Sequence, residues 1–97
     1  MRKYKVTVEG VNFLIRVDTE TTKLGFFTTR FVEAQDEQAA ENQTMDMLRV
    51  ELKTVVENDK SDSPMMFVEE IKELESFGEF RVPGTGFTWY PDEGKGH

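Results

Sequence analysis

The chain reads as an α+β domain: an antiparallel-dominated sheet of four to five strands with one long helix packed on one face. Three observations predict it. Apolar residues alternate with polar ones near the N-terminus. An aromatic and β-branched run follows at 24–34. A stripe at steps of three and four then covers the region from Ala40 to Val55.

Lys3 to Glu9 sets Tyr4, Val6 and Val8 on one side and Lys3, Lys5, Thr7 and Glu9 on the other, which is a half-buried strand. Gly10-Val11-Asn12 reads as a turn, and Phe13, Ile15 and Val17 resume on one face. These two segments are expected to form a hairpin. Asp18 to Lys23 is the next connection. Leu24 to Ala34 is the third strand. If Val32 and Ala34 face the helix, Thr28 and Arg30 do so too, while Phe27 and Phe31 point to the opposite face.

Asp36 is a good N-cap, and Glu37 and Glu41 suit the positive end of a helix running from about Glu37 to Glu57. Ala40, Thr44, Met47, Leu48, Leu52 and Val55 form its buried stripe. A polar loop through Pro64 ends it. Met65 to Leu74 is read as a strand, since the helix needs a sheet to pack on. Phe77 to Val82 is a candidate short strand, Pro83 to Gly86 a turn, and Phe87 to Tyr90 an aromatic segment. The order is β-β-β-α-β, with an extra C-terminal strand as an option. One domain over 1–91 and a frayed tail over 92–97 are expected.

Composition limits the chemistry. With 97 residues the chain supports one domain, and eight Phe, one Trp and two Tyr are too many for a disordered acidic tail. No cysteine is present, so thiol catalysis and Cys-ligated metals are excluded. No apolar run reaches the length of a membrane span, and no signal peptide is visible. A cytoplasmic protein is expected.

The net charge of −7 is unevenly spread. Residues 1–31 hold six Lys/Arg and three acids (+3), and residues 32–97 hold six against sixteen (−10). Such a surface repels phosphate backbones, so no nucleic acid and no membrane is expected as a partner. It suits a basic protein partner.

Catalytic constellations are wanting. The single histidine is the last residue, His97, and Ser61, Ser63 and Ser76 sit in polar turns without a base. Asp59 with Asp62, and Glu69, Glu70, Glu73 and Glu75, are carboxylate groups that read as solvated faces. Gly84-Thr85-Gly86 lacks the Lys-Ser/Thr and the helix of a phosphate loop. The expectation is therefore a non-catalytic, acidic protein-interaction or regulatory module with no cofactor and no metal. Its interaction surface is expected from Phe27, Phe31, Arg30, Phe87, Trp89 and Tyr90.

Two alternatives belong to other classes. One is a small-molecule-binding domain or small carboxylate enzyme with a cleft near the C-terminal aromatics and Arg30 or Arg16 as anion anchor. The other is an inhibitor or immunity-like protein blocking a basic partner. A helix-free face bearing Phe27 and Phe31 demands cover. The 83–91 segment folding back over it gives a monomer, and two copies meeting there would give a homodimer.

Overall fold

A computed structural model describes residues 1–58 and 61–92. The elements are β1 (Arg2–Val17), β2 (Glu20–Ala34), α1 (Glu37–Leu52), β3 (Met65–Leu74) and β4 (Thr88–Pro91). All neighbouring strands are antiparallel, in the order β3-β1-β2-β4, and α1 lies on one face. The α+β architecture is the one the sequence predicts.

The boundaries differ in instructive ways. The two expected strands on either side of Gly10-Val11-Asn12 are halves of the single strand β1. The residues between them form a bulge, where the β1–β2 register shifts between Gly10 and Phe13. Asn12 adopts a left-handed φ of 61° there. The bulge switches the inward positions from even (Tyr4, Val6, Val8) to odd (Phe13, Ile15), so both halves bury the same face. The side chain of Val17 is not among those described.

The true hairpin turn is Asp18-Thr19, enclosed by the Val17–Glu20 pair, with Asp18 at φ 57°. Glu20 to Lys23 belong to β2 rather than to a connection.

Polar bonds from three directions hold the bulge. Asn12 donates its backbone N–H to Asp92 Oδ2 (2.8 Å) and its Nδ2 to Asp62 Oδ1 (2.8 Å), while its carbonyl accepts from Asn58 Nδ2 (2.9 Å). Asp62 is thus a partner of the bulge, and Asp59 lies outside the described residues. Asp92 is buried, so the fold reaches one residue past the expected boundary. Residues 93–97, including His97, lie outside the described residues.

Asp36 caps α1 as expected, its Oδ1 accepting from Ala39 N at 2.8 Å. The helix ends at Leu52, five residues before the expected Glu57. Thr54, Val55 and Val56 are β-branched and favour extended backbone. Val56 forms a bridge with Ile15, and Glu57 N donates to Leu14 O (2.7 Å). Ala40, Thr44, Leu48 and Leu52 form the buried row at four-residue steps. Met47 lies beside it, and Val55, past the helix end, is exposed.

The core sits between this row and Tyr4, Val6, Val8, Phe13, Ile15, Phe26, Val32 and Ala34 of the sheet. Phe26 is its hinge point: Gly10, opposite it, has no side chain because a Cβ there would lie 2.1 Å from the Phe26 ring.

Phe77 to Val82 is not a strand. It belongs to the turn-rich connection from β3 to β4, and the additional strand is β4. Phe80 stacks on Phe31 at 4.5 Å and Phe77 meets it edge-on at 6.3 Å. The connection therefore covers Phe31 with aromatics and has no need of a ladder.

Candidate functional site

The residues expected to form one surface are split by the sheet. Thr28 and Arg30 face the helix and Phe27 and Phe31 face away, as the alternation predicts. Phe87 and Trp89 pack on the helix side, both against Phe26, at 5.0 and 5.4 Å. Tyr90 packs on the other side against Phe27 at 5.6 Å. The C-terminal segment does fold back, as β4, but Phe87 and Trp89, expected over the face of Phe27 and Phe31, go to the helix side instead; because side chains alternate along a strand, only Tyr90 reaches the helix-free face.

Arg30 is completely buried, and each of its five N–H groups has a partner. Nε donates to Thr28 Oγ1 (3.1 Å). Nη1 donates to Glu51 Oε2 (2.5 Å) and Met47 Sδ (3.4 Å). Nη2 donates to Glu51 Oε1 (2.9 Å) and the Gly86 carbonyl (3.1 Å). The Phe87 ring lies 5.2 Å from the guanidinium carbon. An arginine so engaged has no donor left for an incoming anion. Its work is to tie β2, α1 and the 83–87 segment together. Beside it, a cleft of about 480 Å³ runs along Thr29, Thr85 and Thr88, close to the C-terminal aromatics.

The helix-free face has a row of cross-strand partners, Phe67 of β3, Glu9 of β1 and Phe27 of β2. Both phenylalanines are 42% exposed, whereas Phe31 is only 8% exposed beneath Phe77 and Phe80. Tyr90 lies over Gly25, where a Cβ would come within 2.3 Å of its ring, and its hydroxyl donates to Glu9 Oε2 at 2.5 Å. Burial, then this bond to the Glu9 carboxylate, pushes the Tyr90 phenol up to about 12. Glu69 lies against Glu9. The hydrogen bond between the two carboxyl groups, then partial desolvation, raises the Glu69 pKa above its ordinary value.

A second irregularity sets this arrangement. The β1–β3 register shifts between Thr7 and Val8, which pair with Glu70 and Val68, so Glu69 is the extra residue. Lys5 Nζ reaches Glu70 Oε1 at 3.1 Å, and the Thr7 and Thr29 hydroxyls are 3.3 Å apart.

The two edges of the sheet differ. On one side β4 is only four residues long, and past it Phe31 N donates to the Pro83 carbonyl (2.8 Å), which closes the β2 edge. On the other side β3 is the terminal strand for ten residues, and no strand among the described residues pairs with its outer side. It begins with exposed Met65 and Phe67 and continues with Glu69, Glu70 and Glu73.

Sequence reading missed Met65, Phe67, Glu9 and Glu69 as a group. The alternation of Lys3 to Glu9 does place Glu9 on the outer face, but the bulge that brings Glu69 to it has no local signature. Among the described residues no helix is long and apolar enough to cross a membrane, and no three potential metal ligands converge. No protein-family model matches the chain, and neither a curated protein nor a solved structure matches it.

Proposed function

We propose that the chain is a non-catalytic interaction module that captures an extended, basic segment of a partner protein by strand addition along the outer edge of β3. The observation that carries this reading is that edge: a ten-residue strand whose outer side pairs with no strand among the described residues, with exposed Met65 and Phe67 at one end and an excess of acids along the rest. An incoming strand satisfies the outward N–H and C=O groups. Its alternate side chains meet Phe67 and the carboxylates of Glu69 and Glu70.

Charge selects the occupant. Glu69, Glu70, Glu73 and Glu75 outnumber Lys72 in and just past this strand. Two copies joined through β3 would bring these acids toward one another, and like charges across a strand pair repel. A basic segment is attracted by the same groups, and by the −10 balance after residue 31. The complete engagement of Arg30 removes one of the two anchors of the anion-binding alternative, and the other, Arg16, is exposed and already pairs with Glu57. The cysteine-free chain suits a reducing compartment, and this reading assigns the module to the cytoplasm with a protein, not a nucleic acid, as partner.

The test uses two peptides the length of β3, one alternating Lys with Val and one alternating Glu with Val. The basic peptide is expected to shift the amide NMR signals of Met65 to Leu74 and to bind more weakly as salt rises; the acidic peptide should do neither. Reversing Glu69 and Glu70 to Lys should weaken the basic peptide by about tenfold, as two exposed ion pairs of up to ~1 kcal/mol each allow. Shifts confined to α1 or β4, or equal binding of both peptides, would refute the assignment.

A further inference from the structure

On the helix side of the sheet, α1 does not reach across β3. Its buried row rests mainly on β1 and β2, and Met66, Val68 and Ile71 on the inner face of β3 stay only partly buried. The gap is a groove of about 320 Å³ between the C-terminal half of α1 and the start of β3. Its apolar lining is Phe13 of β1, Met45 and Leu52 of α1, Val56, Pro64 and Met66. Methionine suits such a wall because its unbranched, polarizable chain adapts to what it packs against.

Two cations stand at this groove, Arg49 in the last turn of α1 and Lys53 at its C-cap, four residues apart on helical backbone and so neighbours. In a chain of net charge −7 this is against the trend. The nearby acids have other partners. Glu51 is bonded to the buried Arg30, and Glu57 to Arg16 (2.6 Å). Asp46 touches Arg49 through one Nη only, in a pair that is exposed on both sides and therefore weak. Lys53 has no ion pair among the described residues. The C-terminus of α1 contributes about half a negative charge here, which two whole positive charges outweigh.

From this juxtaposition we infer a binding site for a free medium-chain fatty acid anion. The acyl tail lies in the groove between Met45, Leu52 and Met66, and the carboxylate is held by Arg49 and Lys53. The groove is near the lower end of the ~300–1,000 Å³ typical of small-ligand sites, which suits a single short tail and not a phospholipid with two. A carboxylate matches the planar guanidinium of Arg49 in two hydrogen bonds, with Lys53 as a point charge beside it. The site is separate from the outer edge of β3, and neither assignment depends on the other.

The five methionines provide the test. With methyl-labelled methionine, decanoate below its micellar concentration should shift the Met45 and Met66 methyl signals saturably. Met47, beside Arg30, and Met65, on the opposite face, should stay in place. Decyltrimethylammonium has a tail of about the same length and the opposite head, and should bind at least tenfold more weakly. The double variant Arg49→Glu/Lys53→Glu should lose decanoate affinity by about tenfold or more, and Met66→Leu should retain it. Movement of all five signals together means detergent-like adsorption and overturns the site. Equal binding of the two heads overturns the role of the cations. Sedimentation with phosphatidylglycerol vesicles while decanoate causes no shift would instead make the groove a membrane contact.

Discussion

Arg30 and Glu51 meet in a two-pronged ion pair, Nη1 to Oε2 at 2.5 Å and Nη2 to Oε1 at 2.9 Å, with the arginine fully enclosed and the glutamate partly open to water. The pair joins the C-terminal third of β2 to the last turn of α1. Through the Gly86 carbonyl it also anchors the segment that leads into β4. Removing Glu51 leaves a buried positive charge uncompensated. Glu51→Ala is expected to cost about 2–4 kcal/mol in urea denaturation, a little below the usual range for a broken buried pair because Glu51 keeps some solvation. Arg30→Met with Glu51→Leu should cost less than Glu51→Ala alone, since no charge is then stranded. A double variant that loses as much as Glu51→Ala or more would show that a stranded charge is not what Glu51 prevents.

The helix offers a contrast between two buried positions. Leu48 is fully buried in the middle of the row, and Leu48→Ala should lose about 2–5 kcal/mol. Thr44 is equally buried, but its Oγ1 has no hydrogen-bond partner among the described residues. Thr44→Val keeps the shape and removes an unsatisfied hydroxyl, so it should raise stability by up to about 1 kcal/mol. Loss of stability in Thr44→Val would show that the hydroxyl is bonded after all.

Two glycines lie beneath aromatic rings, and they should not respond alike. A Cβ at Gly10 meets the ring of Phe26, which is packed among Phe13, Phe87 and Trp89 and has no room to move. A Cβ at Gly25 meets the outer end of Tyr90, on the short edge strand β4. Gly10→Ala should therefore cost about 2–3 kcal/mol, near the upper end of overpacking, and Gly25→Ala about 1 kcal/mol. Adding Tyr90→Ala should relieve only the second. Thermal unfolding of the four proteins separates the cases.

Tyr90 makes stability depend on alkaline pH. Its folded-state pKa of about 12 lies above the ordinary 10.0, so its protonated form is favoured by folding. The stabilisation is complete below pH 10 and is lost as pH rises from 10 to 12. The Tm should fall across that window, and Tyr90→Phe should flatten the fall. Glu69, also raised, has the same sign at lower pH: its contribution is present when the carboxyl is protonated and fades as pH rises through its folded pKa. Glu69→Gln keeps a donor toward Glu9 at every pH and should remove that dependence. An unchanged profile in both variants would place the titration elsewhere.

Much of this arrangement is legible in the chain because it follows from backbone periodicity. Tyr4, Val6 and Val8 face the core by alternation. Thr28 and Arg30 share a face opposite to Phe27 and Phe31 for the same reason. Asp36 caps α1, and the four-residue row from Ala40 to Leu52 is a property of the helix itself. These are local features, readable wherever the pattern is long enough.

The remaining features depend on what lies opposite. Gly10-Val11-Asn12 carries the same residues whether it makes a turn or a bulge, since both accept a left-handed Asn12 and both switch the phase. Only the pairing of β2 with both halves of β1 decides between them. Hydropathy sends Arg30 to the surface, and it is Glu51, twenty-one residues away on the helix, that allows it to be buried. Phe31 was left uncovered by every local element until Phe77 and Phe80 came to it from a connection without regular structure. The sequence by itself therefore determined which side the residues of β1, β2 and α1 face within each regular stretch, because that is set by dihedral repeat. Only the tertiary structure decided which groups meet there, because burial of a charge, a bulge or an aromatic face is stable only through contacts between segments far apart in the chain.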